Sequence, residues 1–432
     1  MAKRSSKKSI WQILLSVFPD LRRITLTQLL RTVVGSVVIV QVMTVLVLVV
    51  MSAIRNRHKQ EHSFPHTELE EVQVGENAMQ LYSYGRDLFD AMLEAIDNAK
   101  ETIYLESFIW KGDEVGQEFK DHLARKAAEG VEVYVIFDSF GNLVVPRSFK
   151  RRDSFHPAIH VMAYQAIRRI WQIIDPRHYA FDHRKLLAVD GKIGFIGGYN
   201  IGKLYAYSWR DTHIRICGPA AADIAQSFID SWNRFCRKSD RISRRYHRQF
   251  DPLITLWGND ALRLTFPIRD MYIENIDRAE HSILLTNAYF VPDHTLLDAL
   301  KAAAHRGVDV RILVPWLSNH IIADWVSHGY YSGCLQAGIR VFGYRHSMLH
   351  AKTCTIDGQW STVGTANLDR LSSIGNFEIN IEVFSVELAR QMQTLFACDT
   401  SDVFEWTLEE WSKRPWYTKF SEHILAPLRI IL

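Results

Sequence analysis

The sequence predicts an α/β protein made of two similar repeats, each a mixed sheet flanked by helices, related by a pseudo-twofold axis and preceded by an N-terminal transmembrane helix. Three observations lead to this. Strand-like and helix-like stretches alternate along most of the 432 residues. One polar pattern occurs twice, far apart in the chain. The segment 32–54 carries no formal charge.

The uncharged segment Thr32–Ile54 is dominated by Val, Leu, Ile and Met. As a helix it would extend roughly 34 Å, enough to cross a bilayer. The 31 residues before it and the missing cleavage site argue against a signal peptide, and its apolar character on every face argues against a buried soluble helix. We therefore expect a single-pass protein of the cell membrane.

The side of the membrane on which the large domain lies stays open. Basic residues flank the predicted span at both ends, and the positive-inside bias would leave the N-terminus in the cytoplasm and the large domain outside. The apolar stretch Ile10–Phe18 is too short for a plain span, but a re-entrant or interfacial segment there would change this assignment.

Similar segments recur in the two halves. Residues 96–103 resemble residues 276–283, and each segment runs into an apolar strand. Glu129-Gly130-Val131 and Arg306-Gly307-Val308 each indicate the end of a helix followed by a strand. The resulting division is a basic tail (1–31), the transmembrane helix (32–54), a polar linker (55–75), a first half (76–250), a second half (251–400) and an aromatic and basic tail (401–432).

Two segments outside the repeats have more than one interpretation. Residues 158–174 are rich in apolar and aromatic side chains and suit either an amphipathic element facing lipid or a core-packed helix. The C-terminal aromatics suit the headgroup region of a membrane, but packing on the core would explain them equally well. They are Trp406, Trp411, Trp416 and Tyr417.

Composition excludes some classes of site. The five cysteines are scattered and form no Cys-x-x-Cys pair, so neither a structural zinc nor a disulfide framework is expected. The net charge of +3 gives no strong basic excess, which disfavours nucleic acid as a partner.

The repeated pattern is His-x-Lys-x-x-x-x-Asp, and further polar positions follow it in the same register. The correspondence extends over five pairs, each 167 residues apart: His183 and His350, Lys185 and Lys352, Asp190 and Asp357, Asn200 and Asn367, and Asp211 and Glu378. Such a register indicates two structural repeats that each contribute half of one site.

These residue types suit the cleavage of a phosphate diester. His and Lys, two residues apart on a strand, point to the same side. Two ammonium and two amide groups around one point would bind the phosphate, while one imidazole attacks phosphorus and the other protonates the leaving oxygen. Asp211 and Glu378 would each hold the far nitrogen of an imidazole. The lysines supply the charge that a metal otherwise would, so no metal or cofactor is expected.

The wider motifs resemble those of the phospholipase D superfamily, and in particular its bacterial cardiolipin synthase branch. The resemblance covers roughly residues 80–400. It is carried by both His-x-Lys-x4-Asp copies and by the segments Gly197-Gly198-Tyr199-Asn200-Ile201-Gly202, Trp209-Arg210-Asp211-Thr212-His213, Gly364-Thr365-Ala366-Asn367-Leu368-Asp369-Arg370 and Asn376-Phe377-Glu378.

The resemblance implies a ping-pong reaction through a phosphatidyl-histidine intermediate. His183 would be the nucleophile and His350 the general acid, with the paired lysines and asparagines holding the phosphate and no cofactor taking part. The substrate would be phosphatidylglycerol. Asp190 and Asp357 belong to the motif as catalytic candidates, although their place at a turn leaves a structural role open.

The chain departs from this branch in two places. Relatives often have two N-terminal spans, whereas one is predicted here, and many have Arg where this chain has Phe181. The sequence is also compatible with other functions. They are a phospholipase D-type hydrolase, a transphosphatidylase using another alcohol, a nuclease, which the membrane anchor disfavours, and a non-catalytic membrane scaffold, which the five intact pairs disfavour. The sequence does not predict the oligomeric state.

Overall fold

A computed structural model describes residues 64–167, 172, 174–247, 251–415, 418, 419 and 422, with scattered positions between 31 and 50. The predicted basic tail up to residue 30, residues 51–63 and most of the chain after residue 415 lie outside the described residues. The described positions between 31 and 50 are helical. Among the described residues, no helix is both long enough and apolar enough to cross a bilayer.

The strands of the first half begin earlier than predicted and run to Cys217. They are β1 (Val72–Val74), β2 (Asn77–Tyr82), β3 (Thr102–Ser107), β4 (Glu132–Asp138), β5 (Ile159–Tyr164), β6 (Leu186–Val189), β7 (Ile193–Gly197), β8 (Trp209–Arg210) and β9 (His213–Cys217). The helices of this half are α1 (Gly85–Asn98), α2 (Glu114–Ala128), α3 (Arg147–Lys150), α4 (Lys203–Tyr207) and α5 (Ala221–Phe235).

The second half repeats this order. Its strands are β10 (Ile254–Asn259), β11 (Ser282–Asn287), β12 (Asp309–Pro315), β13 (Arg340–Tyr344), β14 (Met348–Leu349), β15 (Lys352–Ile356), β16 (Trp360–Gly364), β17 (Glu378–Phe384) and β18 (Val403–Trp406). Its helices are α6 (Pro267–Arg278), α7 (His294–His305), α8 (Ile321–Gln336), α9 (Arg370–Ile374), α10 (Val386–Asp399) and α11 (Leu408–Ser412).

Apart from β8 and β14, which pair with each other, the described strands form one mixed sheet in each half. The first has the order β1-β2-β9-β7-β6-β3-β4-β5, and the second has the order β10-β17-β16-β15-β11-β12-β13-β18. From β2 and β10 onward the two orders match strand for strand over seven positions. Strands β3, β4 and β5 are parallel, as are β11, β12 and β13, while the other neighbours are antiparallel. The prediction of two mixed α/β repeats is confirmed.

The local signals for helix ends and strand starts are also confirmed. Helix α2 ends at Ala128 and β4 begins at Glu132, while α7 ends at His305 and β12 begins at Asp309. In both cases a Gly with positive φ lies between helix and strand, at Gly130 and Gly307. Parallel strands then follow β3 and β11 through these helices, which is the crossover connection that such strands require.

The two sheets pack against each other through their central strands. One apolar cluster contains Ile214 and Ile216 of the first sheet together with Ile379 and Ile381 of the second, all essentially buried. Helix α5 covers the strands β6 and β7, and α10 covers β15 and β16 in the equivalent place. We call the interface between the two halves the seam. Burial of apolar side chains across it makes the two halves one folded unit.

Backbone and ionic contacts reinforce the seam. Strand β8 of the first half pairs in parallel with β14 of the second, Trp209 facing Met348. The guanidinium of Arg210 donates to both carboxylate oxygens of Asp399 at 3.0 and 2.7 Å, and both side chains are buried. Because each charge would be unpaired without the other, this ion pair couples the two halves.

Three predicted segments differ in the structure. Strand β1 lies within the segment assigned to the linker, because Val72–Val74 pairs with β2 as the edge of the first sheet. Residues 158–174 do not form a helix at their start, since Ile159–Tyr164 is strand β5 beside β4. Residues 168–171 and 173 of that segment are outside the described ones.

The assigned C-terminal tail begins as part of the second half. Strand β18 extends the second sheet beside β13, and Trp406 and Trp411 are buried in the core of that half. Core packing therefore accounts for these two aromatics, while Trp416 and Tyr417 lie outside the described residues. The second half thus continues past residue 400, to the end of α11 at Ser412.

Replacing Asp399 with Ala should destabilise the protein by about 3–5 kcal/mol, because it leaves the guanidinium of Arg210 buried and unpaired. Urea unfolding of the full-length protein in detergent would measure this loss. The matched control is Glu405→Ala, which removes the partner of Arg340 from a half-exposed ion pair within the second half. That change should cost less than about 1 kcal/mol. Equal losses in the two variants would contradict a special role for the pair at the seam.

Candidate active site

The two motif histidines are held at the seam by the backbone of the opposite half. The N–H of His183 donates to the carbonyl of Phe377 at 3.0 Å, and the N–H of His350 donates to the carbonyl of Arg210 at 2.7 Å. Phe377 and Arg210 are the residues that directly precede Glu378 and Asp211. The same contact therefore occurs twice, as the predicted pseudo-twofold relation requires.

The carboxylates cross the seam as well. The Nδ1–H of His183 donates to the two oxygens of Glu378 at 2.9 and 3.0 Å. The Nδ1–H of His350 donates to Asp211 at 2.6 Å. Each imidazole is thus oriented by the acid of the other half, and both acids are fully buried. A hydrogen bond from Nδ1 leaves the Nε2 lone pair of the neutral ring available as a nucleophile or base.

Each carboxylate is positioned by its own half. Thr365 donates its hydroxyl to Glu378 at 2.6 Å. At the equivalent place in the first half stands Gly198, and a Cβ added there would lie 2.1 Å from an oxygen of Asp211. The first half therefore accommodates the shorter acid by bringing its carboxylate against a bare backbone, whereas the second half holds the longer acid with a hydroxyl.

The motif lysines are buried beside the histidines. Lys185 donates to the carbonyl oxygen of His183 at 2.6 Å, and Lys352 donates to the carbonyl oxygen of His350. Burial lowers the pKa of Lys185 to about 7 and that of Lys352 to about 8. The site thus holds two ammonium groups whose charge is poorly solvated, which favours the binding of an anion.

The same burial acts on the imidazoles. Burial and then the charge of Lys352 lower the pKa of His350 to about 3. Burial also lowers the pKa of His183, which Glu378 raises in part and Lys185 lowers further. Without an anion in the site, both rings are neutral near pH 7. An anionic phosphate between them would offset the repulsion and make protonation of one ring easier.

The two asparagines occupy different environments. The side-chain oxygen of Asn200 accepts the N–H of Ile109 at 3.0 Å. The side-chain oxygen of Asn367 is buried and has no hydrogen-bond partner among the described residues. Asn367 lines the cavity described below, and Asn200 does not. Of the two asparagines predicted to bind phosphate, only Asn367 lines the cavity, whereas Asn200 binds the backbone of Ile109.

The structure does not bring Asp190 and Asp357 to the histidines. Each lies beyond the far end of its strand, about 17 Å of extended chain from the motif lysine. The carboxylate of Asp190 accepts three backbone N–H groups at 2.8 Å, from residues 100 to 102, and that of Asp357 does the same with residues 280 to 282 at 2.7–2.8 Å. Both residues have φ near +50° in a tight turn. These contacts fix the starts of β3 and β11. The prediction that Asp190 and Asp357 lie at the reacting centre is corrected accordingly.

A cavity of about 600 Å³ opens beside His183. Most of its wall is apolar, and both halves contribute to it. The apolar lining consists of Phe108, Phe140, Phe181, Tyr289, Val291, Ile321, Ile322, Ala323 and Leu371. Polar groups lie among them, at Asn319, His320, Asn367, Asp369, Ser372 and Asn376. Such a lining suits a ligand with long hydrocarbon chains and a small polar head.

Aromatic rings surround both imidazoles. Phe108 lies edge-on to His183, with ring centroids 4.8 Å apart, and Trp209 lies 5.2 Å from His350. Tyr289 borders the cavity and lies 6.3 Å from His350. These rings bring apolar surface close to the histidines, and charge interactions are stronger in such low-polarity surroundings than in water.

Sequence reasoning did not predict most of the cavity wall. Phe108, Phe140 and Tyr289 each follow the carboxyl end of a parallel strand, namely β3, β4 and β11. Ligands in α/β sheets bind beyond these ends, so the strand predictions contained a usable signal. Residues 319–323 follow β12 in the same way. In the part of the chain described here, no group of three or more His, Cys, Asp or Glu is arranged to hold a metal ion.

Comparison with known proteins places this architecture in a family. The family model described as "Cardiolipin synthase, PLD-like domain" matches residues 92–232 and 272–400. The chain is 34% identical over 373 residues to the major cardiolipin synthase ClsA of Bacillus subtilis (strain 168), covering 83% of this chain and 76% of that protein. It is 32% identical over 376 residues to a cardiolipin synthase of Listeria monocytogenes, with the same coverage.

A solved structure shares the fold. The phosphatidylserine synthase of Haemophilus influenzae Rd KW20 superposes with a TM-score of 0.61, covering 82% of this chain and 93% of that one at 14% sequence identity. At this identity the likeness concerns the fold alone. The matched family model spans both halves, including every paired motif residue, and the sequence relatives cover most of the chain. The chain therefore belongs to the cardiolipin synthase family of phospholipase D-like proteins.

Proposed function

We propose that this protein is a membrane-bound phosphatidyl transferase that converts two molecules of phosphatidylglycerol into cardiolipin and glycerol. The observation that carries this proposal is the pair of seam histidines, each bound through Nδ1 to a carboxylate of the opposite half and each beside a buried lysine. The names of the sequence relatives support the same reaction, and the apolar cavity suits a lipid substrate.

In the first half-reaction, His183 is the nucleophile. Its Nε2 attacks the phosphorus of phosphatidylglycerol, and the bond from phosphorus to the glycerol oxygen breaks. His350, protonated once the anionic substrate is bound, gives its Nε2 proton to that oxygen, and glycerol leaves. Lys185 and Lys352 offset the charge on the phosphoryl oxygens during the displacement. Asn367 lines the cavity, and in this proposal its amide nitrogen donates to the phosphate.

In the second half-reaction, another phosphatidylglycerol replaces the glycerol. His350 is now neutral and takes the proton from the headgroup hydroxyl as its oxygen attacks phosphorus. The bond between phosphorus and His183 Nε2 breaks, and cardiolipin is released. Asp369 and Asn376, two of the polar groups of the cavity wall, bind headgroup hydroxyls in this proposal, and burial raises the pKa of Asp369 to about 7. Asp190 and Asp357 act on the fold and not on the substrate.

Exclusion of water decides between transfer and hydrolysis. Water could attack the phosphatidyl-histidine in place of a lipid alcohol, and the product would then be phosphatidic acid. The apolar wall around His183 disfavours ordered water and favours a second lipid. Residues 32–54 anchor the chain in the cell membrane as a single span, next to the bilayer that holds both substrates. The exposed apolar side chains at its described positions are in keeping with this.

Purified full-length protein in vesicles whose only phospholipid is phosphatidylglycerol should form cardiolipin and glycerol in equal amounts. Thin-layer chromatography and an enzymatic glycerol assay measure the two products. Phosphatidic acid as the main product would identify a hydrolase instead. No turnover of any phospholipid would overturn the proposal and favour a non-catalytic scaffold.

Substitution of each histidine should separate their roles. His183→Ala should abolish both turnover and the covalent adduct, because no nucleophile remains. His350→Ala should slow both steps, but the adduct should remain attached to His183 because the acceptor alcohol has no base to take its proton. Intact-protein and peptide mass spectrometry detect the phosphatidyl group. His305→Ala, on the exposed end of α7, is the matched control and should retain full activity. An adduct trapped on His350 in His183→Ala would reverse the assignment.

The rate at low substrate should fall on both sides of an optimum as pH changes. At acid pH the imidazole of His183 takes up a proton and loses its nucleophilic lone pair. At alkaline pH the ammonium groups lose theirs, and burial places this limb near pH 7–8 instead of near the ordinary lysine value. The measurement is kcat/KM against pH. In Lys185→Arg the alkaline limb should shift upward, since guanidinium stays charged. A profile that is flat to about pH 10 would contradict the assigned role of the lysines.

A further inference from the structure

We propose that the rim of the cavity is a bilayer-docking surface. We define this rim by the loop 139–147 of the first half and by helix α9 of the second. The loop inserts apolar side chains among the lipids, while the basic residues beside it contact anionic headgroups. The proposal rests on the proposed function, because it concerns how a lipid substrate passes from the bilayer into the cavity.

Exposed apolar side chains are concentrated in one part of the chain. Outside the positions between 31 and 50, sixteen large apolar residues of the described chain are exposed, and six of them lie between residues 140 and 179. Val144 is 81% exposed and Leu143 is 66% exposed, among the highest values of the described domain. Single exposed apolar residues are ordinary. Their concentration in one segment beside a cavity indicates a surface that is covered in use.

The rim lies directly at the cavity and is formed by both halves. Phe140 lines the cavity and stacks on Phe181, with ring centroids 4.5 Å apart. Leu143 and Val144 follow in the same loop. From the second half, Leu371 lines the cavity and is 38% exposed, and Ile374 on the same short helix is 44% exposed. A lipid that leaves the bilayer at this rim would enter a cavity whose wall is mostly apolar and which extends to His183.

The loop is held in place beneath its apolar tip. The carboxylate of Asp138 accepts the N–H groups of Phe140 and Gly141 at 2.7 and 2.9 Å. The buried side chain of Asn142 accepts the N–H of Trp110 at 2.8 Å and donates to the carbonyls of Phe108 and Asp138. These bonds hold the loop so that residues 143 and 144 point away from the core. The exposure of Leu143 and Val144 therefore results from the fold of the loop.

The charge beside the loop suits an anionic membrane. Between residues 139 and 167 there are four basic residues, Arg147, Lys150, Arg151 and Arg152, against the single acid Asp153, a net charge of +3. The whole chain has the same net charge of +3, so the remaining residues are neutral in sum. An apolar tip with basic residues beside it is the pattern of a segment that lies in the headgroup region of anionic lipids. This charge favours a lipid surface over a protein partner.

Two substrates of different form test the proposal in the full-length double variant L143D/V144D. On vesicles of phosphatidylglycerol, KM should rise by about tenfold or more, because two carboxylates replace inserted apolar groups. On short-chain phosphatidylglycerol below its critical micelle concentration, kcat and KM should stay unchanged. Leu264→Asp is the matched control, since Leu264 is 61% exposed but does not line the cavity, and both activities should be retained. An equal loss on both substrates, or no loss on either, would overturn the proposal.

A second measurement does not depend on turnover. In full-length V144W reconstituted in vesicles, phospholipids with brominated acyl chains should quench additional fluorescence beyond that of the parent protein. In L264W they should not. Quenching in V144W without any product would show that the docking surface is present while the proposed reaction is wrong. Absence of the additional quenching in V144W would overturn the proposed docking surface. If the oligomeric state also changed in L143D/V144D, the rim would instead be an interface with a second copy of the chain.

Discussion

Each imidazole of the duplicated motif is bound by a carboxylate from the opposite half, and the rest of the structure depends on this exchange. Glu378 reaches His183 and Asp211 reaches His350, and both acids are fully buried. A buried carboxylate without its partner is strongly unfavourable, so neither half can complete its own imidazole alone. The reacting centre is therefore complete only where the two halves meet. The apolar packing of the central strands and the ion pair between Arg210 and Asp399 serve to hold it closed.

Burial of the lysines and histidines determines their protonation states. Two lysines and two imidazoles are buried close together, and their pKa values are lowered because charge is poorly solvated there. In the proposed reaction, the negative charge of a bound diester would raise the pKa of the imidazole that acts as an acid, so that this ring takes up a proton from solvent. The cavity suits the rest of a lipid substrate, since most of its wall offers hydrocarbon contacts and six polar groups lie among them.

The sequence predicted the features that are local or repeated. The Asp-Gly turns, the Gly residues that end α2 and α7, and the matching halves each follow from short-range rules or from a fixed offset of 167 residues. It did not predict which acid meets which histidine, because the crossing of the seam depends on how the two sheets pack. It also associated Asp190 and Asp357 with the reacting centre, although their carboxylates bind backbone N–H groups at the far end of each strand. Burial of Trp406 on β18 and of Trp411 on α11 results from packing in the core of the second half, which composition alone does not show.

The most direct measurement is an experimental structure of the full-length protein with vanadate or tungstate, which adopts the geometry of a phosphoryl group in transfer. We expect one metal-oxyanion centre bound on opposite sides by the Nε2 atoms of His183 and His350, with Lys185 and Lys352 within hydrogen-bond distance of its oxygens and with the bonds from Nδ1 to Glu378 and Asp211 intact. An oxyanion bound by the residues of one half alone, with the second imidazole out of reach, would contradict a shared site formed across the seam.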